Sequence, residues 1–187
     1  MTEPFGPRRW LIADAVRVLG ALSVPLAWAL VDATAAAVLL LVLGGAVVAR
    51  TARLPQPVDT AVQLVLLAAG WFAALGAYDA IPGLDLATHV AAGAALGLLA
   101  RALLLRARLL PDGRGRCRAT ARILHTTTAV IALGLLWELG EWAGHIGVSS
   151  AIGVGYEDTL SDLVADLVGA AVAVSAWELV ARRRRAS

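Results

Sequence analysis

The chain has 187 residues, of which 59% are hydrophobic and 16% are charged, against roughly 25% charged in soluble domains. A soluble protein of this size could not keep so much apolar surface out of water, so the composition excludes a soluble domain and indicates an integral membrane protein. The formal net charge is +2, and a single cysteine, Cys117, excludes an internal disulfide.

Six segments of the chain are apolar enough to cross a bilayer, for which a helix needs about 20 mainly apolar residues. They are residues 10–31, 34–49, 58–78, 84–105, 123–145 and 159–181. The sequence therefore predicts an all-α fold, a polytopic membrane helix bundle of six transmembrane helices. One membrane domain is expected over residues 1–187, because no repeat, coiled coil or second soluble domain is visible in the sequence.

The positions of the arginines predict the orientation of these helices. All 16 basic residues are arginine, and all except Arg17 gather before segment one, after segment two, around the loop between segments four and five and at the end of the chain. Short cytoplasmic loops collect arginine, and six crossings with both termini cytoplasmic place these groups on one side. We therefore expect a multi-pass protein of the plasma (inner) membrane. Its arginines should touch anionic lipid of the bilayer and bind no nucleic acid.

Nine ionisable side chains fall in the extracytoplasmic half of segments three to six. They are Asp79, Asp85, His89, Glu138, Glu141, His145, Asp158, Asp162 and Asp166. Several are three or four residues apart and share a helix face, as Asp158, Asp162 and Asp166 do. Ionisable groups in hydrocarbon are costly and usually mark a site with a partner for each group. Here the partners are expected to be one another.

The chemistry of this set predicts either proton sharing or cation binding, since so many carboxylates cannot all stay ionised in a medium of low dielectric constant. Carboxylate oxygens with imidazole suit a divalent metal such as Mg, Mn, Fe or Zn. The expected metal ligands are Asp85, His89, Glu138, Glu141, Asp158, Asp162 and Asp166. The expected catalytic residues are Glu138, Glu141 and Asp162.

Each residue also has a purely structural interpretation. Asp85 and Asp158 are suited to cap the helices that they begin, and Asp79 and His145 to be solvated at the interface. The deeper residues can form a hydrogen-bond network that only fixes helix packing.

Other polar and small residues are expected to be structural. Asp14 should pair locally with Arg17, three residues on, and Glu178 should pair with the arginines at the end of the chain or extend its carboxylate to the interface. Small residues allow helices to approach closely. The positions expected to do so are Gly93, Gly134, Gly169 and Ala170.

Three motifs resemble the YjdF-like inner-membrane proteins, an uncharacterised family, and are more distantly similar to VanZ-like membrane proteins. The motifs are Asp85-x-x-x-His89-x-x-x-Gly93, Trp137-Glu138-Leu139-Gly140-Glu141-Trp142 and Asp158-Thr159-x-x-Asp162-Leu163-x-x-Asp166-x-x-Gly169-Ala170. The resemblance covers roughly residues 78–170, about half of the chain. Segments one and two show no residues typical of the family. Val90 stands where the family pattern leads us to expect an aromatic residue after the histidine. The resemblance supports the site and the topology without supplying a reaction, and the VanZ likeness implies a cell-envelope association only by fold-level analogy.

Three functions are consistent with this set of acidic residues and histidine. The first is a metal-dependent membrane enzyme that acts on a lipid-linked or envelope substrate. The second is a structural or accessory subunit with an acidic packing network, in an oligomeric state that the sequence does not define. The third is a proton-coupled transporter, against which no comparable polar line continues to the cytoplasmic side and no inverted repeat is visible.

The predicted topology is tested by reporter fusions. Alkaline phosphatase fused after Ser187 should be inactive, and the same enzyme inserted near Ser150 should be active, because it folds only outside the cytoplasm. The reverse pattern of activities would contradict the topology and move the acidic cluster to the cytoplasmic side.

Overall fold

The computed structural model describes residues 12–113, 115–149 and 152–183, and this part of the chain contains helices and no strands. The helices are α1 (Ile12–Leu30), α2 (Ala33–Ala52), α3 (Gln56–Ala74), α4 (Ala77–Ala80), α5 (Leu84–Arg106), α6 (Arg116–Gly147) and α7 (Tyr156–Arg183). Six of them, all except α4, are long and apolar enough to cross a membrane. The predicted all-α architecture with six membrane-spanning helices is therefore confirmed, while the side on which the termini lie stays a prediction.

Several helix ends differ from the predicted segments. The third segment was expected to run to residue 78, but α3 ends at Ala74 and Gly76 takes a left-handed conformation with φ 63°. Tyr78 and Asp79 therefore lie on the separate single turn α4. Helix α6 begins at Arg116 rather than at residue 123, because hydropathy marks where the apolar span begins and not where the backbone hydrogen bonds begin.

The short break predicted between the first two segments is present in the structure as a turn at Asp32. Asp32 is the N-cap of α2, and its Oδ1 atom accepts a 2.7 Å hydrogen bond from the Ala35 backbone N–H. A side-chain oxygen in this position satisfies one of the unpaired N–H groups at the start of a helix. Helices α1 and α2 are thus two antiparallel helices joined by a very short turn.

Helices α5 and α7 cross with their backbones in direct contact. A Cβ atom on Gly93 would overlap the backbone of Asp166, and one on Gly169 would overlap the Val90 carbonyl oxygen and lie 2.9 Å from the Ala94 nitrogen. Such close approach is possible only where side chains are absent. The packing role predicted for Gly93 and Gly169 is confirmed, and it brings the polar faces of α5 and α7 together.

A buried ion network joins α1, α2 and α3. Arg17 contacts Asp14 Oδ1 at 2.7 Å and Asp59 Oδ1 at 2.5 Å. Arg50 contacts the same Asp14 oxygen at 2.8 Å, and Gln63 donates a 3.2 Å hydrogen bond to Asp59. The local pair of Asp14 and Arg17 is confirmed, and the structure adds the charges from α2 and α3. Two arginines and two aspartates compensate one another, as burial of charge requires.

A second ion network lies at the arginine-rich end of the bundle. Glu178 on α7 accepts hydrogen bonds of 2.6 Å from Arg101 on α5 and from Arg122 on α6. Glu178 was expected to pair with arginines at the end of the chain, but among the described residues its partners are Arg101 and Arg122. The reason is geometric: α5 and α6 pack beside Glu178, whereas the residues that follow it in sequence continue along the axis of its own helix.

The α5–α7 contact can be tested with two glycine substitutions. Gly169→Ala should destabilise the protein by about 1–3 kcal/mol, because the added methyl forces the two backbones apart. Gly44→Ala on α2 is the matched control: its Cβ meets no atom within 4 Å, so stability should stay level or rise slightly. Thermal unfolding in detergent measures both changes, and equal losses would contradict a specific contact at Gly169.

Candidate functional site

His89 lies among three carboxylates where α5 meets α7. Its Nε2 atom is 3.7 Å from Asp85 Oδ1 and 3.7 Å from Asp162 Oδ2. Its Nδ1 atom is 3.4 Å from Asp166 Oδ1. The contact between Gly93 and the Asp166 backbone, one turn further along α5, produces this arrangement. Histidine and carboxylates from two helices thus form one cluster.

The spacing of these atoms leaves room for an ion. Hydrogen bonds between such groups are about 2.7–3.2 Å long, and the 3.7 Å separations exceed that length. Two atoms that each lie about 2.1 Å from a metal are about 3–4 Å apart. One ligand atom from each of Asp85, His89 and Asp162 lies within 4.8 Å of the others. These three residues are therefore a possible metal-binding group.

Asp166 occupies a space that a glycine leaves open. Its side chain is only 7% exposed, and a Cβ on Gly134 of α6 would lie 2.8 Å from Asp166 Oδ2. The small residue predicted to aid helix packing therefore accommodates a carboxylate as well. The Nδ1 atom of His89, which faces Asp166, is buried without a well-formed hydrogen bond, so the inner end of the cluster is not fully satisfied by the described residues.

The two glutamates on α6 border this group. Glu138 Oε2 accepts a 2.7 Å hydrogen bond from the Thr159 hydroxyl, which ties α6 to the start of α7. Glu141 is half-buried and interacts electrostatically with Glu138, His89 and Asp162. It makes no hydrogen bond or ion pair with the described residues. Its carboxylate is consequently available to a ligand.

Three residues of the predicted set lie at the margin. Asp79 is exposed on α4, and Asp158 is exposed as the third residue of α7, where it acts on Asp85 and Asp162 only through its charge. The Nδ1 atom of His145 lies 2.6 Å from the Ile152 carbonyl oxygen, which anchors the loop before α7.

The capping interpretation of Asp85 is wrong. Asp85 is the second residue of α5, the N-cap of α5 is Gly83, and no side chain caps that helix end. Its carboxylate is therefore not used to satisfy the first N–H groups of the helix.

The cluster is accessible from one end. Side-chain exposure falls from 31% at Asp85 to 16% at His89 and 6% at Asp162. This gradient follows the helices inward from the starts of α5 and α7. A ligand would therefore reach Asp85 first and Asp162 last.

The structure also brings Tyr78, which lies on α4, close to the cluster. Its hydroxyl donates a 3.0 Å hydrogen bond to the Ala69 carbonyl oxygen. Burial, with a further contribution from the charges of Asp85, Glu141 and Asp162, raises the pKa of Tyr78 to about 12. In the sequence, Tyr78 could have been found only by its position directly before Asp79. Thr159, which holds Glu138, could have been found only by its place within the third motif.

These features define a helical membrane protein with a polar cluster of carboxylates and histidine at one end of α5, α6 and α7. The chain matches the family described as "Predicted membrane protein (DUF2238)" over residues 10–184, and it belongs to that family. No curated protein and no solved structure matches the chain. The match confirms the resemblance to an uncharacterised membrane protein family. It also corrects one expectation, because the family extends over the first two helices, where no signal was seen.

The environment of Tyr78 predicts a late titration. The tyrosinate absorbance of the folded protein should contain a step near pH 12 that is missing in Tyr78→Phe. The folded chain holds this proton more tightly than an unfolded one, whose tyrosine pKa is about 10. Stability should therefore fall as the pH rises from about 10 towards about 12. Complete titration below about pH 11 in a protein still folded by circular dichroism would contradict this environment.

Proposed function

We propose that this membrane protein binds a divalent cation at Asp85, His89 and Asp162 and uses it to act on a lipid-linked or envelope substrate. The observation that carries the proposal is the convergence of three ligand atoms from α5 and α7 within 4.8 Å of one another. The donor set of two carboxylates and one imidazole fits Mg, Mn, Fe or Zn. Asp158 and Asp166 extend the acidic surroundings, with Asp166 as a partner of His89 Nδ1 rather than a ligand of the same three-atom group.

Glu138 and Glu141 are the residues that act on the substrate. When bound, a divalent cation polarises a substrate oxygen or lowers the pKa of a water molecule. Glu141, which has no hydrogen bond or ion pair with the described residues, is the group that accepts a proton. Glu138 is held by the Thr159 hydroxyl and orients the substrate. Asp162 has two roles: it is a ligand of the metal, and it is the catalytic residue that lies furthest from the open end of the cluster.

The depth of the cluster supports a substrate that is partly lipid. Asp162 lies about 9 Å inward of the start of α7 by helix rise, within a segment of membrane-spanning length. A substrate with a polar group attached to a lipid can reach this depth from the bilayer. The arginine distribution supports an orientation in which the cluster faces outward and both termini are cytoplasmic in the plasma (inner) membrane.

Transport through the α5–α7 interface is disfavoured by its packing. Beyond the acidic cluster a Cβ on Gly97 would lie 3.1 Å from the Ala170 Cα and 3.3 Å from a Val174 methyl group. Backbone and apolar side chains therefore close the interface immediately inward of Asp166. A relay needs a chain of polar groups across the membrane, and this interface offers apolar contacts at that position.

A structural role is the second candidate, and one observation favours it. His89 has a carboxylate near each of its ring nitrogens, at 3.7 Å on one side and 3.4 Å on the other. A protonated imidazole in this position compensates negative charge and holds α5 against α7. The protein would then be an accessory membrane subunit, and no metal would bind.

We also propose that the chain belongs to a YjdF-like subfamily of this family. The YjdF-like subfamily is supported by the three motifs around His89, Glu138 and Asp162. The distant VanZ-like relationship rests on fold-level analogy, which suggests a setting in the cell envelope and supplies no reaction.

Metal analysis separates the two candidates. The purified protein should carry a divalent cation, and a chelator should lower its melting temperature, because a ligand at 100 times its Kd stabilises the folded state by about 2.7 kcal/mol. Asp162→Asn should lose the metal and the response to the chelator. Asp79→Asn is the matched control: it removes an exposed carboxylate near the same end and should keep both.

The opposite results would support the structural candidate. In a network without metal, Asp162→Asn relieves repulsion between carboxylates, so thermal stability should stay level or rise. A wild-type protein that binds no metal, and whose melting does not respond to a chelator, would exclude the metal site. If Asp162→Asn does not fold, Asp85→Asn removes another of the three proposed ligands and provides the second variant.

A further inference from the structure

A pocket lies at the arginine-rich end of the bundle, opposite to the acidic cluster. It has a volume of about 320 Å³, which is within the range of small-molecule sites. Its walls come from the turn between α2 and α3, from the second half of α5 and from α7. The residues that define it are Arg53, Leu54, Leu98, Arg101, Arg106 and Trp177.

Arg101 is held rigidly in the wall of this pocket. Its Nε and Nη2 atoms both donate to Glu178 Oε1, at 2.8 and 2.6 Å. The guanidinium group also lies over the Trp177 ring, 5.7 Å from the ring centroid, a geometry typical of a cation–π interaction. Both contacts leave the second terminal nitrogen, Nη1, without a partner in the described part of the chain. That N–H group is available to an anion.

The charge of the pocket is positive. Glu178 already accepts hydrogen bonds from Arg122 as well as from Arg101, so one carboxylate serves two guanidinium groups. Arg53 and Arg106 are exposed and have no ion pair among the described residues. Arg53 also has a left-handed backbone, with φ 54°, which is uncommon for a residue other than glycine. Three guanidinium groups therefore border one pocket beside a single, shared carboxylate.

We propose that this pocket binds the phosphate headgroup of an anionic phospholipid. Arg53, Arg106 and the free N–H of Arg101 are donors for the phosphate oxygens, which guanidinium groups bind through paired hydrogen bonds. Leu98, Leu105 and Trp177 form an apolar wall for the glycerol and the start of the acyl chains. This mixture of charge and apolar surface fits a lipid better than a soluble anion, which would need polar walls throughout.

The wild-type protein tests the occupant directly. In native mass spectrometry from mixed micelles, phosphatidylglycerol should remain bound in preference to phosphatidylcholine, and it should raise the melting temperature in a saturable way. Inorganic phosphate and glycerol 3-phosphate should not reproduce that rise, since they lack the apolar part. An equal rise with either soluble anion would overturn the lipid assignment, and equal retention of the two lipids would overturn the site.

A pair of double variants tests the location. Arg53→Gln with Arg106→Gln should weaken phosphatidylglycerol binding by roughly 30-fold, since each arginine near an anionic lipid contributes a factor of about 5 and the two factors multiply. Arg108→Gln with Arg116→Gln is the matched control. It also removes two exposed arginines, and one of them, Arg108, has a left-handed backbone conformation with φ 58°. This control variant should bind phosphatidylglycerol as tightly as the wild type does. Equal losses in both variants would show general attraction to the membrane and overturn the pocket.

If the double variant does not fold, each single substitution should weaken binding by about 5-fold. Single variants that bind as tightly as wild type would likewise overturn the proposal. Because the pocket lies at the other end of the bundle from His89, loss of lipid binding leaves the metal content unchanged, and the two proposals can fail separately.

Discussion

The direct backbone contact between α5 and α7 is the constraint on which the polar end of this molecule depends. Gly93 and Gly169 permit it, because neither position has a side chain to keep the helices apart. Once the helices touch there, His89 lies one turn away from Gly93 and its imidazole reaches Asp162 and Asp166. In a membrane, where helix association is not driven by the hydrophobic effect, such packing is a main source of specificity. The same contact between α5 and α7 therefore fixes the packing of these helices and assembles the cluster around His89.

Charge is distributed along the bundle in three separate groups. Arg17, Arg50, Asp14 and Asp59 balance one another in the first half of the chain. Glu178 joins three helices but leaves the arginine-rich end positive. The cluster around His89 is negative, with one imidazole among several carboxylates. The positive and negative charges are equal in number only in the first group. The other two groups carry excess charge that a ligand of opposite sign could balance.

Much of the fold was predictable from the sequence because the bilayer imposes a simple rule on length and polarity. Runs of about 20 apolar residues identified six spans, and all six correspond to helices of the structure. The helix ends were less predictable. Helix α6 has 32 residues and is about 48 Å long, so part of it extends beyond the apolar run that revealed it. The break at Gly76 was missed because apolar residues continue across it.

The candidate site was predictable in part, and the reason lies in periodicity. Spacing along one helix showed that Asp162 and Asp166 share a face, and that Asp85 and His89 do. It did not show that Arg101 and Arg122 would reach Glu178, because contacts between helices depend on rotation and depth that one sequence does not encode simply. Tyr78 was missed for the same reason. Its position near the cluster depends on the separate turn α4, which contacts α3 and α5.

The ion network of the first three helices has a consequence for how the protein is made. Helix α1 carries Arg17 and Asp14 within its membrane-spanning segment, but the second carboxylate that Arg17 contacts is Asp59, which lies on α3. The compensated network therefore does not exist until α3 has emerged from the ribosome and entered the bilayer. Until then Arg17 has only Asp14 of its own helix and the Ala46 carbonyl oxygen of α2 as partners. We therefore expect membrane integration of the first three helices to be coupled to their assembly with one another.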